Sequence, residues 1–460
     1  PHGSGNTKII SDLCVSFAKE LGLPYRQEPC NNVVIWKKAS PGCENAAPII
    51  LQGHTDMVCA KTDDCTKDMT REGLDLVTDG EWVWADKTSL GGDNCIAVAM
   101  IFAILADDTL VHPPIEAVLT VDEEVGMDGA FALDCSDIKG RKLLNLDSEL
   151  EGVFTVSCAG GLHSDCFLPA ESTPVSGMDV FSLTVAGLQG GHSGADIHLG
   201  RGSGNRLMGR TLCTALEKFP GLRLVKFAGG QFDNVICSRC DAVVALPAGT
   251  GDDFAAFVRE FDGVLKNEYA VTDPGVTLTC TAASADTAVS AERTATLLRT
   301  LVALPQGVEA MDTDFPGLVQ TSLNMGVTKL DETGLRISFS IRSSIASRKM
   351  MLAQRVRAVI TLAGGTVTEG GVYPGWQYKR ESQFRDTLLA AYKDLTGKDG
   401  VVEATHGGLE CGLLMEKLPG LDAVSVGPDL FDVHSVRERL NVASTERTYA
   451  LVCELLRRSV

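Results

Sequence analysis

The 460-residue sequence predicts an α/β protein whose two ends build one domain around an inserted α+β domain. Three observations carry this reading. The chain is longer than one hydrophobic core usually organises. Short apolar strand patterns interleave with helices at both ends, whereas the stretch after Gly177 is richer in strands. Candidate ligand residues recur in both end segments, with His54 in one and His434 in the other, so a shared site would join the ends.

Thr7 to Leu21 carries apolar residues at helical spacing and stops at Gly22. Asn32 to Lys37, Ile49 to Gln52, Ile115 to Val121 and Leu143 to Leu146 read as short strands. Cys95 to Ala106 is a helix that begins directly after Gly91-Gly92-Asp93. Further on, Phe181 to Ala186, Leu222 to Phe227, Ala242 to Leu246 and Val276 to Cys280 are expected strands, with helices at Asn205 to Lys218 and Asp253 to Asn267. A second round follows: strands at Ser322 to Thr328 and Leu335 to Ile341, a helix at Ser347 to Ala363, and a strand at Thr366 to Gly370. Two such rounds suggest two similar α+β halves, without a sequence repeat to mark duplication. The α/β pattern then resumes with a helix at Gln383 to Thr396, strands at Val401 to Ala404 and Ala423 to Val426, and a closing helix at Ser444 to Leu456.

Composition narrows the function. Hydrophobic residues make up 44% of the chain, enough for packed cores, and the longest apolar stretch, Cys95 to Leu105, is too short to span a bilayer. No charged-then-apolar leader opens the chain, although Pro1 is not a native start. A formal charge of −19 argues against a nucleic-acid partner, which needs clustered Lys and Arg, and an acidic pocket suits divalent cations. The 15 cysteines are an odd number scattered through apolar segments, the pattern of reduced thiols, and the cytoplasm is the compartment expected. Cys237 and Cys240 form a CxxC, but no second pair completes a zinc site.

The chemistry is concentrated at strand ends. In a strand of period 2, His54 and Asp56 point to the same side, so the histidine can ligate a metal while the carboxylate holds its ring. His54, Glu123, Glu124 and Asp147 each lie at or just after the end of an expected strand, where ligands of α/β sheets gather. Asp93 sits in a glycine-rich turn at a helix start, which suits a carboxylate bridging two cations. Three adjacent acids, Asp122, Glu123 and Glu124, would repel one another without cations nearby. Glu124 is therefore expected as a ligand and Glu123 as the general base that takes a proton from water. Asp147 would complete one metal and His434 the other; a mixed His and carboxylate set without Cys suits zinc and also admits manganese or cobalt.

Five motifs in order, His54-Thr55-Asp56, Gly91-Gly92-Asp93-Asn94, Asp122-Glu123-Glu124-Val125-Gly126, Gly190-Gly191-His192-Ser193-Gly194 and His434, resemble the co-catalytic zinc peptidases related to aminoacylase and the glutamate-releasing carboxypeptidases. The opening Pro1-His2-Gly3-Ser4-Gly5-Asn6, the long insert and His406-Gly407-Gly408-Leu409-Glu410-Cys411-Gly412 look most like that family's aminoacyl-histidine dipeptidase branch. One departure is Val436, where relatives often have Pro after His-Ser.

The resemblance implies a metal-binding domain with a central mixed sheet flanked by helices, split by an inserted α+β lid, with segments 1–178, 179–374 and 375–460. It implies two zinc ions: Asp93 as bridge, His54 and Asp147 on one ion, Glu124 and His434 on the other, Asp56 orienting His54, and Glu123 as base. It gives His192 the part of a lid histidine that stabilises the oxyanion, Arg342 that of the grip on the substrate carboxylate, and Asn234 that of an aid to His192. His406 and Glu410 are expected as substrate contacts. The activity implied is hydrolysis of short peptides such as Xaa-His. The rivals are an aminoacylase or deacetylase acting on N-acyl amino acids and a non-catalytic metal- or peptide-binding relative. Some relatives supply the lid histidine from a partner chain, so a homodimer stays open, whereas an insert this long could bring His192 to its own site.

Overall fold

The computed structural model describes residues 1–460. The chain divides into two compact units. The first comprises Pro1–Cys158, Trp376–Thr405 and Leu409–Val460, and the second Ala159–Gly375 and His406–Gly408.

The first unit is built on an eight-stranded mixed sheet, ordered Tyr25–Gln27, Val33–Lys37, Ile115–Thr120, Ile49–His54, Lys142–Asn145, Asp422–Ser425, Val153–Cys158, Val401–Thr405. Ile49–His54 runs parallel to both its neighbours, and Asp422–Ser425 runs parallel to Lys142–Asn145, so the chain's two ends share one sheet. Ile49, Ile50 and Leu51 are fully buried, as expected of parallel strands covered on both faces. The helix Gly92–Ala106 packs on Ile49–His54, and the rings of Phe17 and Phe102 stack at 3.9 Å between it and the helix Lys8–Glu20. Gly53 is required by this approach, because a Cβ there would lie 2.4 Å from Asn94 Oδ1 and 2.6 Å from the Ala97 Cβ. A smaller sheet orders Leu430–Phe431, Arg439–Asn441, Trp82–Ala85 and Leu76–Thr78. It anchors the hairpin that carries His434 and Glu438 to an early part of the chain.

The second unit is a nine-stranded antiparallel sheet with helices Gly204–Lys218, Gly251–Glu268, Ala291–Ala303 and Ala346–Leu362. Strand alternation separates its faces. On Gly334–Ser343, Leu335, Ile337, Phe339 and Ile341 enter the apolar core, while Ser338, Ser340 and Arg342 take the opposite side.

The expected boundary at 178/179 falls inside the second unit. Strand Gly160–Pro169 pairs with Gly334–Ser343 on one side and Thr366–Tyr373 on the other. Its polar run His163-Ser164-Asp165 hides the strand from an apolar pattern search. His406–Gly408 also belong to the second unit, apart from the flanking segments of the first.

All 15 cysteines are free, and Cys237 and Cys240 are buried. Burial raises both their thiols, which is the state of core-packing cysteine and not of a reactive pair. No helix is long and apolar enough to cross a membrane.

Candidate functional site

Three adjacent parallel strands converge on one place in the first unit. His54 ends Ile49–His54, Glu123 and Glu124 follow Ile115–Thr120, and Asp147 follows Lys142–Asn145. Asp93 arrives from the start of the helix Gly92–Ala106, and His434 from the hairpin of the small sheet.

The distances sort these side chains around Asp93. Its Oδ1 lies 3.0 Å from His54 Nε2, and its Oδ2 lies 3.2 Å from His434 Nε2. One carboxylate therefore presents a different oxygen to each imidazole, the disposition a bridging ligand requires. His434 Nε2 lies 2.9 Å from Glu124 Oε1, and His54 Nε2 lies 3.5 Å from Asp147 Oδ1. His54, Asp93 and Glu124 offer donor atoms all within 4.8 Å of one another. Glu123 Oε2 is 4.0 Å from His54 Nε2.

Asp56 is fully buried beside the other nitrogen of His54. His54 Nδ1 lies 3.1 Å from the Asp56 carbonyl and 3.4 Å from its carboxylate, which leaves Nε2 for the cluster. Asp56 also accepts from Ser4 Oγ at 2.7 Å and from the Glu123 and Glu124 amides at 3.1 and 3.4 Å. The chain's opening segment and the acidic loop are thus tied to one buried carboxylate. Asp122 and His434 both adopt left-handed backbone, uncommon for residues other than glycine and typical of positions held by their surroundings.

The electrostatics point to cations. Burial opposes a charge on His54, yet Asp147, Asp56 and Asp93 hold its pKa well above the usual imidazole range. His434, bonded to Asp93 and Glu124, is pushed up to about 10. Burial also opposes ionisation of Asp93, but His434 and His54 hold it below the usual carboxylate range. Burial and then Asp147 drive Glu123 upward, and burial does the same to Asp147. Acids outnumber imidazoles here, with Asp56, Asp93, Glu123, Glu124 and Asp147 around His54 and His434. Such a donor set, all His nitrogen and carboxylate oxygen, fits divalent cations.

Two residues that sequence reasoning missed shape the cluster. Glu438, 2% exposed, accepts from the amides of Leu90 at 2.8 Å, Gly91 at 2.9 Å and Asp93 at 3.3 Å, so it holds the loop that delivers Asp93. Asn94 accepts from the His54 amide at 3.2 Å and donates to the Leu146 carbonyl at 2.7 Å, linking three ligand-bearing segments. The only sequence signal for Glu438 is a carboxylate four residues beyond His434.

Glu410, expected as a substrate contact, is fully buried inside the first unit. It accepts from Gln52 Nε2 at 2.6 Å and Thr120 Oγ1 at 2.7 Å, and burial raises its carboxyl to about 7. It braces the ligand-bearing strands from inside the first unit, with its other oxygen, Oε1, unpartnered.

The second unit holds the remaining candidates. His192 Nδ1 accepts from the amides of Gly194 at 3.3 Å and Ala195 at 3.2 Å. Burial and Arg342 lower its pKa, so the ring is neutral near pH 7 and its proton sits on Nε2, a donor. Asn234 is exposed, and its carbonyl accepts from the Ser193 amide at 2.8 Å, pairing its loop with that of His192. Arg342 is 9% exposed, with Nε unpartnered. His406 bonds Ser322 Oγ at 2.7 Å through Nε2 and leaves Nδ1 unpartnered; burial and Arg342 lower it to about 3.

The sequence pattern of peptidase family M20/M25/M40 matches residues 50–458. The cytosol non-specific dipeptidase of Escherichia coli (strain K12) is 37% identical over 460 residues, covering 99% of this chain and 94% of that protein. The crystal structure of aminoacylhistidine dipeptidase from Vibrio alginolyticus superposes with a TM-score of 0.93 at 36% identity, covering 100% of this chain and 94% of that one. The aminopeptidase PepT of Bacillus cereus shares the fold, with a TM-score of 0.56 at 15% identity, covering 100% and 94% of the two chains.

Proposed function

Because the chain belongs to peptidase family M20/M25/M40, we propose that it is a dinuclear metal-dependent dipeptidase that hydrolyses short peptides, Xaa-His dipeptides among them. The observation that carries the reading is the Asp93 carboxylate, with one oxygen toward His54 and the other toward His434. His54 and Asp147 would hold one ion, Glu124 and His434 the other, and Asp93 both. Two divalent ions supply Lewis acidity and make water easier to deprotonate when bound. Zinc is the metal inferred from the mixed imidazole and carboxylate set, which manganese and cobalt also suit.

Glu123 takes the proton of the attacking water and delivers it to the departing amine. Asp56 keeps Nε2 of His54 turned to the cluster. His192 donates from Nε2 to the oxyanion that develops on the substrate carbonyl, and the Asn234 backbone steadies its loop. Arg342 pairs with the substrate's terminal carboxylate through its guanidinium fork. His406, neutral and with a free nitrogen, offers a further polar contact near Arg342. The first unit is the catalytic domain, and the second, which carries His192 and Arg342, is the lid. The relative's cytosolic location, together with 15 free cysteines, supports a cytoplasmic protein.

The test compares Ala-His with an N-acetyl amino acid for wild type and Glu123→Gln. The expected result is turnover of the free dipeptide only, and a loss of about 10²–10⁴ in kcat for the variant with metal content unchanged. Preferential cleavage of the N-acyl compound would replace this reading with an aminoacylase.

A further inference from the structure

Three residues form a row across the second unit's sheet. Arg342 pairs with Gly161, and Gly161 pairs on its other side with Tyr373. The outer strands of such a row stand roughly 9–10 Å apart. Even so, Arg342 Nη1 donates to the Tyr373 hydroxyl at 3.3 Å.

Several features of the sequence make that meeting possible. Gly161 has no side chain to occupy the middle of the row, where a Cβ would lie 2.2 Å from Tyr373 Cε1 and 2.6 Å from its hydroxyl oxygen. Gly408, from the His406-Gly407-Gly408 motif, leaves room on another side, since a Cβ there would lie 3.0 Å from Tyr373 Cε2. The register matters as well. Gly370 faces His163, so regular pairing would set Val372 against Gly161, but an irregularity between Gly370 and Tyr373 brings Tyr373 there instead. Bulges commonly re-aim a side chain in this way. Lys349, 3% exposed, closes the arrangement: its ammonium donates to the Gly161 carbonyl at 3.1 Å and to the Tyr373 carbonyl. A buried lysine is costly, and this one is bound to both residues beside Arg342.

A free arginine side chain samples many rotamers, whereas a bidentate grip on a carboxylate needs the guanidinium plane in one orientation. We propose that Tyr373 is a positioning residue for Arg342, and that the Gly161–Tyr373 pair thereby sets selectivity for substrates with a free terminal carboxylate. The proposal rests on the reading of Arg342 given above.

The experiment measures kcat and KM for Ala-His, and the inhibition constant of its C-terminal amide, in wild type, Tyr373→Phe, Gly161→Ala and Arg342→Met. The expected result for Tyr373→Phe is a KM about threefold to tenfold higher for the dipeptide, with kcat and amide binding nearly unchanged. Gly161→Ala shifts the same ratio in the same direction, and Arg342→Met removes the preference for the carboxylate. A Tyr373→Phe protein that melts like wild type and keeps the wild-type ratio, while Arg342→Met loses it, overturns the role of Tyr373. A ratio that survives Arg342→Met overturns the reading of Arg342 itself, and the positioning proposal with it.

Discussion

Glu438→Ala is the perturbation whose magnitude follows most directly from the structure. The carboxylate accepts two short bonds, from Leu90 at 2.8 Å and Gly91 at 2.9 Å, and a weaker one from Asp93 at 3.3 Å. Hydrogen bonds to a charged group contribute about 1.5–3 kcal/mol each, so the two short ones set a range of about 3–6 kcal/mol. Burial pushes the Glu438 carboxyl up, which shows that desolvation offsets part of this gain. The lower end, about 3 kcal/mol, is therefore the expected cost. The cost falls on the loop that presents Asp93. It should appear as roughly 100-fold weaker binding of divalent metal, with a smaller change in global stability. Glu438→Gln keeps one acceptor oxygen and should lose about tenfold. Competition against a chromophoric zinc chelator gives the affinities, and thermal unfolding of the metal-free proteins reports the fold. Wild-type metal affinity in a folded Glu438→Ala protein would refute the idea that this carboxylate shapes the site.

Gly53→Ala should destabilise the first unit by about 1–3 kcal/mol, because the new methyl meets Asn94 Oδ1 at 2.4 Å and the Ala97 Cβ at 2.6 Å; urea unfolding checks this, and a neutral result would mean that the helix and strand separate freely. In the second unit, His163 is bonded to Asp233, which raises the imidazole pKa and lowers that of the acid. The histidine's contribution is complete below its unfolded value of about 6.5 and is lost as pH rises through its raised folded value, while the acid's is present above about 3.9 and is lost as pH falls through its depressed one. Asp233→Asn should therefore cost stability at pH 5.5 and less at pH 9. The difference should stay within about 1 kcal/mol because both side chains are partly exposed, at 39% and 29%. A larger cost at pH 9 would reverse the assigned direction.

The parts of the site that the sequence displayed are those attached to strong local patterns. His54, Glu123, Glu124 and Asp147 follow apolar runs, and a parallel sheet carries the ends of such runs to one edge. His434 was legible only through its place in the motif order, since its position depends on a hairpin pairing with Trp82–Ala85. Asn94 stood in the Gly91-Gly92-Asp93-Asn94 motif without a part of its own, and the parts of Glu438 and Tyr373 were hidden, because each acts through a contact set by distant packing. Glu410 was picked out only by its glycine-rich motif, and its inward turn to Gln52 and Thr120 is likewise set by distant packing. The unit boundary was misplaced because Gly160–Pro169 is a strand with a polar face, and periodic hydrophobicity marks such strands poorly.

Anomalous diffraction from crystals grown with zinc shows whether Asp93 bridges two cations. Two peaks are expected about 3.5–4 Å apart on either side of the Asp93 carboxylate, one beside His54 and Asp147 and the other beside His434 and Glu124. A single peak in protein that hydrolyses dipeptides, or two peaks that leave Asp93 uncoordinated, would contradict it.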